Sequence, residues 1–167
     1  MKFLLFVTLP LILLDQLTKW LIQTHIPYGG VIPIIPGFFS LVYVSNTGAA
    51  FSIFQGNNFF FVALALVALV VVLFWLIRDQ FNPNKEQRMS AVAKIAFSLF
   101  VAGIGGNLLD RVLKGSVVDF LDFYYQHYSW PSFNVADSCI CVAAALLVLM
   151  SFRRTKPGSV TGVQRSG

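Results

Sequence analysis

Residues 59–77 read FFFVALALVALVVVLFWLI, an unbroken apolar run of roughly nineteen residues with no charge in it. A helix needs ~20 such residues to cross a hydrocarbon core ~30 Å thick, so this stretch is read as a membrane span. Three further spans follow from the same reasoning, over about 3–22 (interrupted by Pro10, Asp15 and Lys19), 91–113 and 133–152. The composition agrees: of 167 residues 57% are hydrophobic, 15% aromatic and 11% charged. A soluble domain carries about 25% charged residues, and a disordered chain would be more polar still, so both classes are excluded. The net charge of +5 comes from basic residues lying between apolar runs. There they act as topology signals, and nucleic acid is not an expected partner.

Lys and Arg flanks stay in the cytoplasm. Lys2, Arg78, Lys85, Arg88, Arg153, Arg154, Lys156 and Arg165 fall on one face, whereas the outer segments 23–58 and 114–132 hold only Lys114. Both termini are therefore expected inside. Lys2 and the short run after it resemble a cleavable signal peptide, but no small-x-small cleavage site follows, and Asp15, Gln16, Thr18 and Lys19 continue a helical pattern. A retained first span is expected. The segment 23–57 is rich in Gly, Pro and β-branched residues, and the alternation over Phe39–Ser45 predicts short extended strands on the membrane surface. Asp119–Trp130 is dense in aromatics, which suit the headgroup layer, and is read as an interfacial loop serving as an anchor or a substrate contact. The expectation is an all-α polytopic membrane protein of four helices, with one domain over 1–152 and a flexible basic tail over 153–167.

Polar groups inside a span are costly and mark functional sites. At ~1.5 Å per residue, Asp15 on the first helix and Asn107, Asp110 and Arg111 on the third reach the same outer level as Asn134 and Asp137 at the start of the fourth. Asp15 with Lys19, and Asp110 with Arg111, are expected as ion pairs. Asn134 and Asp137 also suit a helix N-cap and its first turn, a purely structural reading. Asp119 follows the turn Lys114-Gly115-Ser116 and returns toward the same surface if Phe120 and Phe123 are to bury. It can then meet Asp137. Two carboxylates in a confined, partly dry site hold one proton between them, so one can activate water while the other protonates a carbonyl oxygen or leaving amine. This is metal-free aspartic proteolysis, with no cofactor. His25 and His127 form no metal-ligand motif, Cys139 and Cys141 point in different directions, and no nucleophile-elbow sequence is present. A small four-span proton-coupled transporter is the competing function. It calls for a carboxylate near the midplane, and Lys19 and Arg111 would repel a cationic cargo.

The segments Asp15-Gln-Leu-Thr-Lys19, Asn46-Thr-Gly-Ala-Ala-Phe-Ser52, Gly106-Asn-Leu-Leu-Asp-Arg111, Gly115-Ser-Val-Val-Asp-Phe120 and Phe133-Asn-Val-Ala-Asp137 resemble, in order and spacing, the motif set of the bacterial lipoprotein signal peptidase (signal peptidase II) family. The resemblance implies an aspartic endopeptidase of the bacterial inner membrane that removes signal peptides from prolipoproteins, cutting before a diacylglyceryl-modified cysteine. It implies Asp119 and Asp137 as the catalytic dyad, with Asp15, Lys19, Asn46, Gly48, Asn107, Asp110, Arg111, Asn134 and Ala136 as supporting or substrate-binding positions. It further implies a small extracytoplasmic β-cradle, a lid formed by the second outer loop, an active site facing the outer leaflet, and inhibition by globomycin-type cyclic peptides. A monomer in contact with membrane lipid is expected. One departure is Ile104, where the family usually has a small residue. The neighbouring glycines still permit close helix approach.

Overall fold

The computed structural model describes residues 2–48 and 56–154. The part of the 46–52 motif from residue 49 onward and the expected flexible tail from 155 onward lie outside the described residues. A π-helical opening turn, Leu4–Thr8, runs into α1, Leu9–His25; α2 spans Asn58–Gln80, α3 Ala91–Lys114 and α4 Val135–Arg154. Each of the four is long and apolar enough to cross a membrane.

Local chemistry sets the helix ends. Pro10 stands where the π-helical turn passes into α1, and its missing N–H leaves a gap in the helical hydrogen-bond ladder at that junction. The Asn57 side chain caps α2 by accepting from the Phe60 amide (3.2 Å), and Ser90 caps α3 by accepting from Ala93 (3.2 Å). Gly115 ends α3 at φ +76°, a left-handed conformation that a Cβ would strain. The first helix continues to His25, past the expected end at Ile22. The fourth starts at Val135 rather than Phe133, because Phe133 is taken by a β-bridge to Leu121.

The hub of the bundle is α3, on which α1, α2 and α4 all pack, while α2 approaches neither α1 nor α4 closely. The tight contacts pass through glycines. A Cβ on Gly103 would strike the Ala136 carbonyl oxygen, and one on Gly106 would come within 2.6 Å of Asp15 Oδ2. Ile104 sits half-buried between these two positions. Asp79 is the only residue of α2 that is fully buried; one side of the helix is half-covered by α3, and the rest, with Phe59, Leu64, Val67, Val70, Phe74 and Ile77 exposed, is left for lipid.

At one end of the bundle lies a four-stranded antiparallel sheet ordered β1-β2-β3-β4, with β1 Val31–Ile35, β2 Phe39–Asn46, β3 Val117–Tyr125 and β4 Tyr128–Ser129. The predicted strand over 39–45 is therefore present as β2. The second outer segment differs from the expected loop: nine of its residues form β3, paired along β2 from Phe39↔Phe123 to Asn46↔Val117, and two more form β4. Its backbone groups find partners in the ladder, and only a short hairpin through Gln126 and His127 projects from it. Val118 and Phe120 of β3 pack on Ile22 and Ile26 at the end of α1, which fixes the sheet to the helices.

Candidate active site

Asp119 lies on β3 opposite Val44, and Asp137 lies in the first turn of α4. One asparagine side chain joins them. Asn134, fully buried, donates from Nδ2 to Asp119 Oδ1 (2.8 Å), and its Oδ1 accepts the Asp137 amide (2.9 Å). The Asn134 amide in turn donates to Asp137 Oδ2 (3.3 Å), a reciprocal capping box at the start of α4. Asn107 donates to Asp137 Oδ1 (2.7 Å), and Asn46 donates to Asp119 Oδ2 (2.9 Å). Each carboxylate is thus held by two N–H donors supplied from different elements.

A buried ionic cluster supports this arrangement. Lys19, with no exposure at all, is 2.8 Å from both Asp15 Oδ2 and Asp110 Oδ2 and donates to Asn107 Oδ1 (3.0 Å). Lys114 adds a second cation at Asp110 (3.0 Å), so two carboxylates face two ammonium groups and the cluster carries no net charge. Because Lys19 occupies the Asn107 oxygen, the Asn107 NH₂ is left to face Asp137. Asp15 Oδ1 accepts the Ala136 amide (2.9 Å), tying α1 to the start of α4.

Arg111 donates from Nη2 to the Gly48 carbonyl (2.8 Å), lies 4.5 Å over the Phe61 ring, and leaves Nη1 without a hydrogen-bond partner among the described residues. The Gly48 amide donates to Asn46 Oδ1 (3.0 Å), orienting the amide that reaches Asp119. Every site residue singled out from the sequence therefore belongs to one connected network. One pairing is corrected: Asp110 pairs with Lys19 and Lys114, not with Arg111. Adjacent residues of a helix point ~100° apart, so Asp110 faces α1 while Arg111 faces Gly48. Burial first, and then the nearby Asp137 carboxylate, push Asp119 up to about 7.

The chain from residue 7 to 153 matches the family model described as Signal peptidase (SPase) II. The chain belongs to the signal peptidase II family. Proteins named lipoprotein signal peptidase from Symbiobacterium thermophilum and from Geobacter metallireducens are each 43% identical to it, the first over 83% of this chain and 86% of its own length, the second over 88% of each. A solved bacterial membrane enzyme superposes with a TM-score of 0.83 at 30% identity, covering 96% of this chain and 94% of its own. Within this signal peptidase II member, three further residues join the network without having been singled out as site candidates. Gln16 bridges Asp15 Oδ2 (3.2 Å) and the Gly106 carbonyl (3.1 Å), and Asn58 donates to the Arg111 carbonyl (3.0 Å). A polar side chain within a span marks Gln16, whereas nothing in an apolar run distinguishes the third, Phe61, beneath Arg111.

Proposed function

We propose that this signal peptidase II hydrolyses its substrate with Asp119 and Asp137 as an acid–base pair around one water. The observation that carries the reading is the shared asparagine bridge: two carboxylates from a strand and a helix are held by Asn134, with Asn46 and Asn107 completing the donors. With one proton between them, Asp119 holds it below about 7 and Asp137 is the base. Asp137 takes a proton from water as the oxygen attacks the scissile carbonyl, while protonated Asp119 donates to the carbonyl oxygen. The proton on Asp137 then passes to the departing nitrogen as the C–N bond breaks, and Asp119 takes back a proton from a hydroxyl of the tetrahedral intermediate as the carbonyl reforms, which restores the pair's single proton. Arg111 Nη1 supplies the donor for a substrate backbone carbonyl, and Lys19, Asp15, Asp110, Gly48 and Ala136 hold the donors in place.

The protein acts as a lipoprotein signal peptidase on prolipoproteins at the membrane. We take the substrate to carry a diacylglyceryl cysteine on the carboxyl side of the cut, its acyl chains resting in lipid. One domain, 1–152, lies in the bacterial inner membrane as a monomer, with both termini cytoplasmic and the dyad near the outer leaflet. The sheet is the cradle, the aromatic hairpin is the lid, and a globomycin-type cyclic peptide competes for the same site. The basic residues at the bundle end opposite the sheet support this orientation.

The decisive assay follows cleavage of a diacylglyceryl-modified prolipoprotein by purified protein in detergent, with a chelator control. Asp119→Asn and Asp137→Asn are each expected to lower the rate by at least ~10²–10⁴-fold, with the chelator without effect. Near-normal cleavage by either folded variant would remove the dyad from the mechanism.

A further inference from the structure

At the end of the bundle opposite the dyad, a groove with a cavity volume of about 130 Å³ opens between the first residues of the chain and the last turns of α2. The groove exists because the opening turn Leu4–Thr8 and α2 both pack on α3 without approaching each other. Its walls are Leu4, Leu73, Leu76 and Phe81. Ser98 borders it too, completely buried, with a hydroxyl that has no hydrogen-bond partner among the described residues. An orphaned hydroxyl at such depth costs free energy until an acceptor arrives.

The groove also has a charged end. Lys94 and Asp79 pair there at 3.0 Å. Exposed Lys2 and Arg78 flank it in sequence, next to the lining residues Phe3 and Ile77. Lys94 is thus the cation that lines the groove, Arg88 also lies near Asp79, and Arg78, its guanidinium 5.2 Å over the Trp75 ring, and Lys2 are exposed one residue away from lining positions. Between spanning helices, the material that reaches an open groove is the bilayer itself.

We propose that this groove is a binding site for one anionic glycerophospholipid of the adjacent leaflet. A segment of one acyl chain lies between the opening turn and α2, an ester carbonyl accepts from the Ser98 hydroxyl, and the phosphate is held by Lys94 with Lys2 and Arg78 reaching it from the flanks. The site lies away from the dyad and does not depend on its chemistry. Its bound lipid joins two elements that otherwise meet only through α3.

The test uses full-length protein in bilayers containing phosphatidylglycerol or phosphatidylcholine spin-labelled on an acyl chain. The fraction of immobilised label is read by electron paramagnetic resonance. The expected result is an immobilised component near one lipid per protein, larger for phosphatidylglycerol. Leu76→Trp, which fills the groove, removes it, while cleavage activity reports that the fold is intact. The surface variant Lys2→Gln/Arg78→Gln, which leaves the core unchanged, lowers the phosphatidylglycerol affinity about tenfold and leaves phosphatidylcholine unaffected. Equal immobilisation of the two lipids, or a phosphatidylglycerol signal that persists in Leu76→Trp, would overturn the proposal.

Discussion

The Asn134 amide group donates to Asp119 while its oxygen accepts the Asp137 backbone, so the same side chain caps α4 and joins the two carboxylates. The spacing Asn134-x-x-Asp137 made the cap legible in the sequence, but not the reach to β3, because that depends on where another strand lies. The Asp15–Lys19 pair was legible from its helical spacing, whereas the partner of Asp110 was not, since it belongs to a different helix. The proton on Asp119 gives a testable pH dependence. Cleavage is expected to fall as pH rises through about 7, where the pair loses its shared proton. The Asn46 hydrogen bond favours the ionised form, so Asn46→Ala should move this alkaline limb upward by as much as about one pH unit. A pH–rate profile unchanged in that variant would detach Asn46 from the dyad. The same group sets a stability trend. Its carboxyl is held above the ordinary 3.8, so its contribution to the fold is complete below 3.8 and is lost as pH climbs to about 7.

Among the elements, the helices were the most readable, because a polar backbone in lipid must satisfy itself and a long apolar run has few other choices. β3 was harder. Its residues Val117 to Phe120 are buried in succession rather than alternately, which removes the period of two by which half-buried strands are recognised. β1 is exposed along its full length and gives no burial pattern either. The contact of α3 with α4 depends on Gly103, and from there on the position of Asn134 and Asp137. Gly103→Ala, with its Cβ against the Ala136 carbonyl, is expected to cost ~1–3 kcal/mol of stability and to reduce cleavage at least tenfold. Gly105→Ala is the control: its Cβ meets only the end of the Ile12 side chain at 3.3 Å and should be nearly neutral. Thermal unfolding and cleavage rates of the two variants provide the comparison.

For the whole molecule, hydropathy revealed the number of spans, and the basic flanks are the basis of the proposed direction. The packing order around α3 could not be read this way, because small-residue contacts leave little trace in composition. The inferred orientation predicts opposite labelling of two single-cysteine variants made in a background with Cys139 and Cys141 replaced. In intact spheroplasts, His127→Cys should react with a membrane-impermeant maleimide, and Lys85→Cys should react only after permeabilisation. The reverse pattern would invert the chain in the membrane.

Because α3 is the only element that holds α2 among the described residues, the bundle has open flanks beside it in the plane of the bilayer. A reactant already dissolved in lipid can come alongside without passing through water, and the excised peptide can depart by the same sideways route. Encounter then becomes a two-dimensional search, governed by molecules per unit of membrane area rather than per volume. Expanding the bilayer with inert lipid would thin the traffic to the dyad even though every amount in the tube stayed the same.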